Sequence, residues 1–396
     1  MVKLAIDGGS PVRTKPFPEW PIYDQLEEKL LLEVLHSGKW GGATRSKLPE
    51  AERLFAELHD AKYAVTVVNG TVAIAIALQA AGVRAGDEVI VPPYTFFATA
   101  AAPFLFGAIP VFADVEEQTL LIDPDQVEAL ITPRTKAIVP VHIGGAPANM
   151  TRLKAIAEKH GLRIIEDSAQ AAGARWNGTG VGAIGDLGTF SFQSSKNINS
   201  GEGGMILTNN EALADQAWSL VNAGRIRDGA WYQHEVIGWN LRMTEFQAAL
   251  LIGQLSRLEQ QMAVREKNAR LLNELLQDVD GVSPLATDPQ VTRHAYHLYI
   301  FKLHKDLADK LNKSDVCRML NAEGIPVHEG YVALNQNRAI SEEIRKRTGQ
   351  ARRDSCPVAE RACEKEALWL PQNVLLGDEQ DMHDIAQAIR KVVQSV

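Results

Sequence analysis

Seven short apolar runs between residues 64 and 208 constrain the fold more than any other feature. They occupy residues 64–68, 88–92, 110–115, 137–142, 163–166, 188–192 and 204–208, and helix-like stretches at 71–81, 94–106, 125–130 and 150–160 lie between most of them. A strand that is apolar along nearly its whole length is covered on both faces. Alternation with helices therefore predicts an α/β fold, a mainly parallel sheet sandwiched by helices. Such sheets bind ligands beyond the C-terminal ends of their strands. Asn69-Gly70-Thr71 follows the first run, Pro93-Tyr94-Thr95-Phe96 the second and His142 closes the fourth; Asp167 follows the fifth, and Lys196 lies just past the sixth.

The chain has 396 residues, too many for one ordinary core. The first 25 residues contain Pro11, Pro16, Pro18 and Pro21 and read as an extended arm. Residues 26–260 form the large domain. A helical pattern from 245 to about 273 leads into a smaller C-terminal α+β domain, 261–396, with a strand expected at 297–303 and helices at 314–322 and 378–393. A net charge of -8 argues against nucleic acid or an anionic membrane as partner. The most apolar stretch, 98–111, is broken by Pro103, Gly107 and Pro110, and no run is long enough to cross a bilayer. Three cysteines without CxxC spacing suit a reducing cytoplasm, which is the expected location.

Taken one at a time, the polar residues at the strand ends are ambiguous. Lys196 follows an apolar strand and precedes the Gly-rich Gly201-Glu-Gly-Gly204; a buried lysine there would be partly neutral and nucleophilic, whereas most lysines are solvated surface groups. Asp167 could pair with a protonated ring nitrogen or simply cap a helix. Gly70 and Thr71 at a helix N-terminus could hold a phosphate or serve only as its cap. Phe96 could stack on an aromatic ligand or pack into the core. Gly180-Val-Gly-Ala-Ile-Gly185 spells GxGxxG but leads into a strand instead of opening a helix, so the dinucleotide reading fails. His294 and His297 lack partners at metal-ligand spacing, and no metal site is expected.

In their order along the chain these signals converge. Ser191-Phe-x-x-x-Lys196 with Gly201-Glu-Gly-Gly204, Glu166-Asp-Ser-Ala-Gln170, and Asn240-x-Arg-Met-x-x-x-Gln247 give a sequence that resembles the DegT-type sugar aminotransferases, a branch of the fold-type I enzymes that use pyridoxal 5'-phosphate (PLP). The likeness covers nearly the whole chain, from Gly8-Gly9 to Ala295-Tyr-His-Leu298. It implies that Lys196 forms the Schiff base with PLP, that Asp167 pairs with the ring nitrogen, and that Gln170 lies near the phenolic oxygen. It further implies that Gly70, Thr71 and Ser191 hold the phosphate, that Phe96 stacks on the ring, and that Asn240 reaches the phosphate of a neighbouring subunit in a homodimer with shared active sites. The implied reaction is ping-pong transfer of an amino group from glutamate or glutamine, through pyridoxamine phosphate, to a keto-sugar (often nucleotide-linked) or a keto-cyclitol. Trp20-Pro-Ile-Tyr-Asp24 and Glu329-Gly-Tyr331 lean toward the cyclitol and aminohydroxybenzoate branch. The alternatives are a PLP-dependent dehydratase and aromatase, and a non-catalytic PLP-binding regulator.

Overall fold

A computed structural model describes residues 3–350 and 354–395. The large sheet has seven strands: β1 (Tyr63–Val67), β2 (Glu88–Val91), β3 (Ile109–Phe112), β4 (Thr135–Ile138), β5 (Arg163–Asp167), β6 (Leu187–Ser191) and β7 (Gly204–Thr208), in the spatial order β1-β7-β6-β5-β4-β2-β3. Every pairing is parallel except those of β7, which runs against both β1 and β6. The exception follows from the connection. Parallel neighbours need a crossover of a dozen or more residues, usually a helix. The link from β6 to β7, residues 192–203, has no helix to carry the chain across a face of the sheet, so the chain turns straight back and Ser191 pairs with Gly204. Lys196 sits in that link.

Helices α1 (Gln25–Ser37), α2 (Leu48–Leu58), α3 (Gly70–Ala80), α4 (Met150–His160) and α5 (Glu211–Val221) accompany the sheet. Asn69 caps α3, its side chain accepting from the Val72 N–H at 2.9 Å. The long helix α6 (Glu245–Gln277) opens with a capping box of Thr244 and Gln247 and packs against α1 and α2. Beyond it a three-stranded antiparallel sheet, β8 (Val282–Pro284), β9 (Leu298–Leu303) and β10 (Ala367–Pro371), is covered by α7 (Lys313–Ala322) and α8 (Glu379–Val393). The arm runs along this second unit: Arg13 bridges Asp381 and Asp384, and the Asn373 side chain donates to the Pro18 carbonyl.

One expected element differs. In place of a continuous helix over 94–106, the chain stays non-helical through Tyr94 and Thr95, makes one α turn at Ala98–Ala101 and continues as a 3-10 helix at Ala102–Phe106. Pro103 cannot donate to the turn before it, and Gly107 ends the segment with φ 93°. The α turn sets the Thr99 hydroxyl against Asp167 at the end of β5, and the non-helical stretch before it sets Thr95 against Thr99.

Candidate active site

The site forms at the C-terminal ends of β1, β5 and β6. Asp167, the last residue of β5, is 5% exposed. Its Oδ2 accepts from the Thr99 hydroxyl at 2.7 Å and its Oδ1 from the Ala169 N–H at 3.3 Å. Thr99 is itself 3.1 Å from the Thr95 hydroxyl. Burial raises the Asp167 carboxyl above its ordinary value, against the lowering pull of Thr99, Ala169 and the charges of Lys196 and His142. Lys196 is partly open to solvent, yet the protein around its amine brings its pKa down to about 8; burial is the cause and the Asp167 carboxylate opposes it. An amine with that pKa takes and returns protons near neutrality. Thr99 and Tyr331 were not among the expected site residues. The signal for the first pair was available: Thr95 and Thr99 are four residues apart just beyond a strand end.

A second group of expected residues meets at the start of α3. A Cβ built on Gly70 would lie 2.7 Å from the Ser191 Cβ and 3.3 Å from its Oγ, so the first turn of α3 abuts the end of β6. A Cβ on Gly204 would lie 2.6 Å from the Asn69 backbone. The leading N–H groups of α3, at Gly70 and Thr71, have no helical acceptors and share this corner with the Ser191 hydroxyl. Gln170 is held from both ends of its amide: Oε1 accepts from the Gly144 N–H at 2.7 Å, and Nε2 donates to the Tyr331 hydroxyl at 2.6 Å. Tyr331 comes from the second unit and stands edge-on to Tyr94 and Trp369. Two expected residues stand apart. Phe96 is 60% exposed, and the Asn240 side chain is exposed although its neighbour Leu241 accepts from the Val68 N–H beside α3.

Glu166, next to Asp167, is 0% exposed and accepts from the N–H groups of Gly182, Ile184 and Gly185 at 2.7, 2.9 and 2.7 Å. The GxGxxG sequence thus makes a backbone nest for a carboxylate of its own chain. His142 completes it: Nδ1 accepts from the Ala148 N–H at 3.0 Å, so Nε2 carries the hydrogen toward Glu166, also at 3.0 Å. Burial alone would raise the Glu166 carboxyl; His142 and the nest more than offset it, and the net shift is downward. His294 stacks on Tyr296 with ring centroids 3.8 Å apart, and His297 bonds Asn197, the residue after Lys196.

The DegT/DnrJ/EryC1/StrS aminotransferase family matches residues 21–390. The L-glutamine:2-deoxy-scyllo-inosose aminotransferase of Streptoalloteichus tenebrarius is 41% identical, with 99% of this chain and 98% of that protein covered. The enzyme of the same name from Micromonospora echinospora is 40% identical over 99% of this chain and 98% of its own. Among solved structures, 3-amino-5-hydroxybenzoic acid synthase superposes with a TM-score of 0.89 at 34% identity, covering 97% of this chain and 100% of that one.

Proposed function

Since the chain belongs to the DegT/DnrJ/EryC1/StrS aminotransferase family and is an aminotransferase, we propose that it moves the amino group of L-glutamine to a keto-cyclitol of the scyllo-inosose type, using PLP carried by Lys196. The observation that carries the reading is the pairing of a lysine with pKa about 8 and a buried aspartate at the end of the sheet. Glutamine and the cyclitol follow from the names of relatives that match along their whole length.

The residues present fit the cofactor. Gly70 against Ser191 makes a cradle that any Cβ would fill, and its donors are those that suit a phosphate. Asp167 is a buried carboxylate whose charge burial disfavours, and a protonated ring nitrogen is the partner that would favour it. PLP, when bound, supplies an electron sink that acidifies the Cα–H of the amino donor. Lys196 takes that proton and later returns one to the acceptor side, which its pKa allows at neutral pH. Thr99 holds Asp167 in place, and Tyr331 and Gly144 hold Gln170. Asn240, exposed on this chain, completes the phosphate site of a second copy, so the active unit is a homodimer.

The test is optical. Protein loaded with PLP absorbs visible light, L-glutamine bleaches the band, and 2-deoxy-scyllo-inosose restores it. Restoration by a nucleotide-linked keto-sugar and not by the cyclitol would replace the acceptor. The likeness to 3-amino-5-hydroxybenzoic acid synthase favours one second reading, dehydration with aromatisation. An aromatic product from a cyclic amino-dehydro acid would establish it; no such product is expected.

A further inference from the structure

Tyr331 reaches the site on a segment tied at both ends. His328 and Trp369 exchange backbone hydrogen bonds at 2.9 and 3.2 Å, which fixes the start of the segment to β10. The Leu334 N–H donates to the Pro93 carbonyl at 3.0 Å, just past β2, which fixes its end to the large sheet. Gly330 takes φ 89°, and a Cβ there would meet the Ala367 carbonyl oxygen at 3.2 Å and the Trp369 ring at 3.5 Å, so glycine lets the chain pass this close to β10. The Tyr331 ring is then wedged between Trp369 and Tyr94, with centroids 4.5 and 5.4 Å away and both neighbours edge-on. With backbone and ring both held, the hydroxyl has a set position.

That hydroxyl is half used. Gln170 Oε1 accepts from the Gly144 N–H, which fixes the orientation of the amide, so Nε2 is the end that faces Tyr331 and donates to it. The phenolic oxygen is the acceptor in this bond, and its own hydrogen meets no acceptor among the described residues. Burial, reinforced by Asp167 and Cys363 and opposed by the Gln170 bond, raises the phenol above its ordinary value, so it keeps its proton at neutral pH. Of the two stacked phenols, Tyr94 is 0% exposed and Tyr331 is partly open. A ligand in the site can meet the second and not the first.

We propose that Tyr331 sets acceptor specificity: its hydroxyl donates to one ring hydroxyl of a polyhydroxylated ketone. The inference rests on the reading of the acceptor as a ring ketone that bears hydroxyls. The ring holds each hydroxyl at a fixed angle to the ketone, so a donor held by both units of the protein reads one position of it. A site built to hydrogen-bond a substrate hydroxyl rejects the analogue that lacks it, because its own polar group is then left unpaired.

The test crosses the variant with the substrate. PLP-loaded protein is bleached with L-glutamine, and the return of the band is timed with 2-deoxy-scyllo-inosose and with each of its singly deoxygenated forms. In wild type, loss of one of these hydroxyls should lower kcat/KM for the ketone by about tenfold. In Tyr331→Phe the intact ketone should lose about the same factor, carried by KM, and removal of that same hydroxyl should cost nothing further. The glutamine step should slow by no more than about threefold, because Gln170 keeps its Gly144 bond. If Tyr331→Phe stays as sensitive to every hydroxyl as wild type, the phenol only steadies Gln170 and the proposal is overturned. Should that variant not fold, Tyr331→Leu decides in the same cycle. A band that no cyclitol restores would sink the cyclitol reading instead, and deoxygenated forms of the keto-sugar that does restore it would decide Tyr331 on the same terms.

Discussion

Glu166 and Asp167 are consecutive residues on one strand, both buried, and they meet opposite surroundings. Alternation along β5 sends them to opposite faces of the sheet. On its face Glu166 finds three backbone N–H groups and a histidine N–H. On the other, Asp167 finds one hydroxyl and one long backbone contact. The carboxyl of the first is pulled down and that of the second pushed up. A carboxylate satisfied by its own chain is architecture. One that remains under-supplied beside a lysine of pKa about 8 is poised for a ligand.

The largest effect tests the chemistry at the Asp167 face. Lys196→Ala should lower kcat/KM by about 10⁴-fold and remove the visible band, because the proposed function makes the residue both the attachment point and the proton carrier. Turnover near the wild-type rate would break the assignment. Asp167→Asn should follow, at about 10²–10³-fold in kcat, since on the proposed function the ring nitrogen would lose its charge partner while the shape is kept. Its stability should move the other way. The raised pKa of Asp167 means that its contribution to folding is present at low pH and lost as pH rises through the folded value. Cofactor-free Asp167→Asn should therefore be at least as stable as wild type at pH 7, as measured by urea unfolding.

Glu166→Gln reverses that signature. Its carboxyl is lowered, so its contribution is present above the ordinary carboxylate range and lost as pH falls through the folded value. The amide can no longer accept from all four donors, and breaking up a buried charged group of this kind costs about 3 kcal/mol. The urea midpoint should fall at pH 7 while kcat per folded molecule drops less than in Asp167→Asn. Acid unfolding should begin before the Glu166 carboxyl titrates. His59 and His294 are held neutral by burial, with pKa values of about 4 and about 3, so the unfolded chain binds protons first as pH drops below about 6.5. Equal stability and activity losses in the two strand-β5 variants would erase the contrast between the faces.

How much of this contrast could be read from the sequence follows from what sequence periodicity encodes. The strands, the sheet's direction and the strand-end positions of Asp167 and Lys196 all come from local apolar patterning, and the structure agrees with each. The motif that names a dinucleotide site was rejected on context, but its true task was not visible, because the nest forms only once β5 lies parallel to β6 and brings Glu166 beneath residues 182–185. Tyr331 reaches Gln170 from 161 positions away, a contact that no local pattern announces. The reversed strand is illegible for a different reason: strand direction depends on the connection, and nothing in the apolar pattern of the strands says that the link of residues 192–203 turns back without a helix.

The smallest effect asks how finely the Asp167 face is tuned. Thr99→Val keeps the shape of the side chain and removes the 2.7 Å donor, which leaves Asp167 with the Ala169 contact at 3.3 Å. Thr99 is the first of the influences that lower this carboxyl, so its loss should raise the carboxyl further and weaken the charged form that a protonated ring nitrogen needs. One hydrogen bond to a charged group is worth about 1.5–3 kcal/mol. Part of that is recovered if water reaches the site, so a drop of about tenfold in PLP affinity and in kcat is expected, with KM for glutamine unchanged. Thr95→Val removes a hydroxyl that touches Thr99 and not Asp167, and should cost less than half as much on a logarithmic scale. If Thr95→Val were instead the more damaging of the two, the hydroxyls would act on substrate directly, and the contrast between Glu166 and Asp167 would owe nothing to this pair.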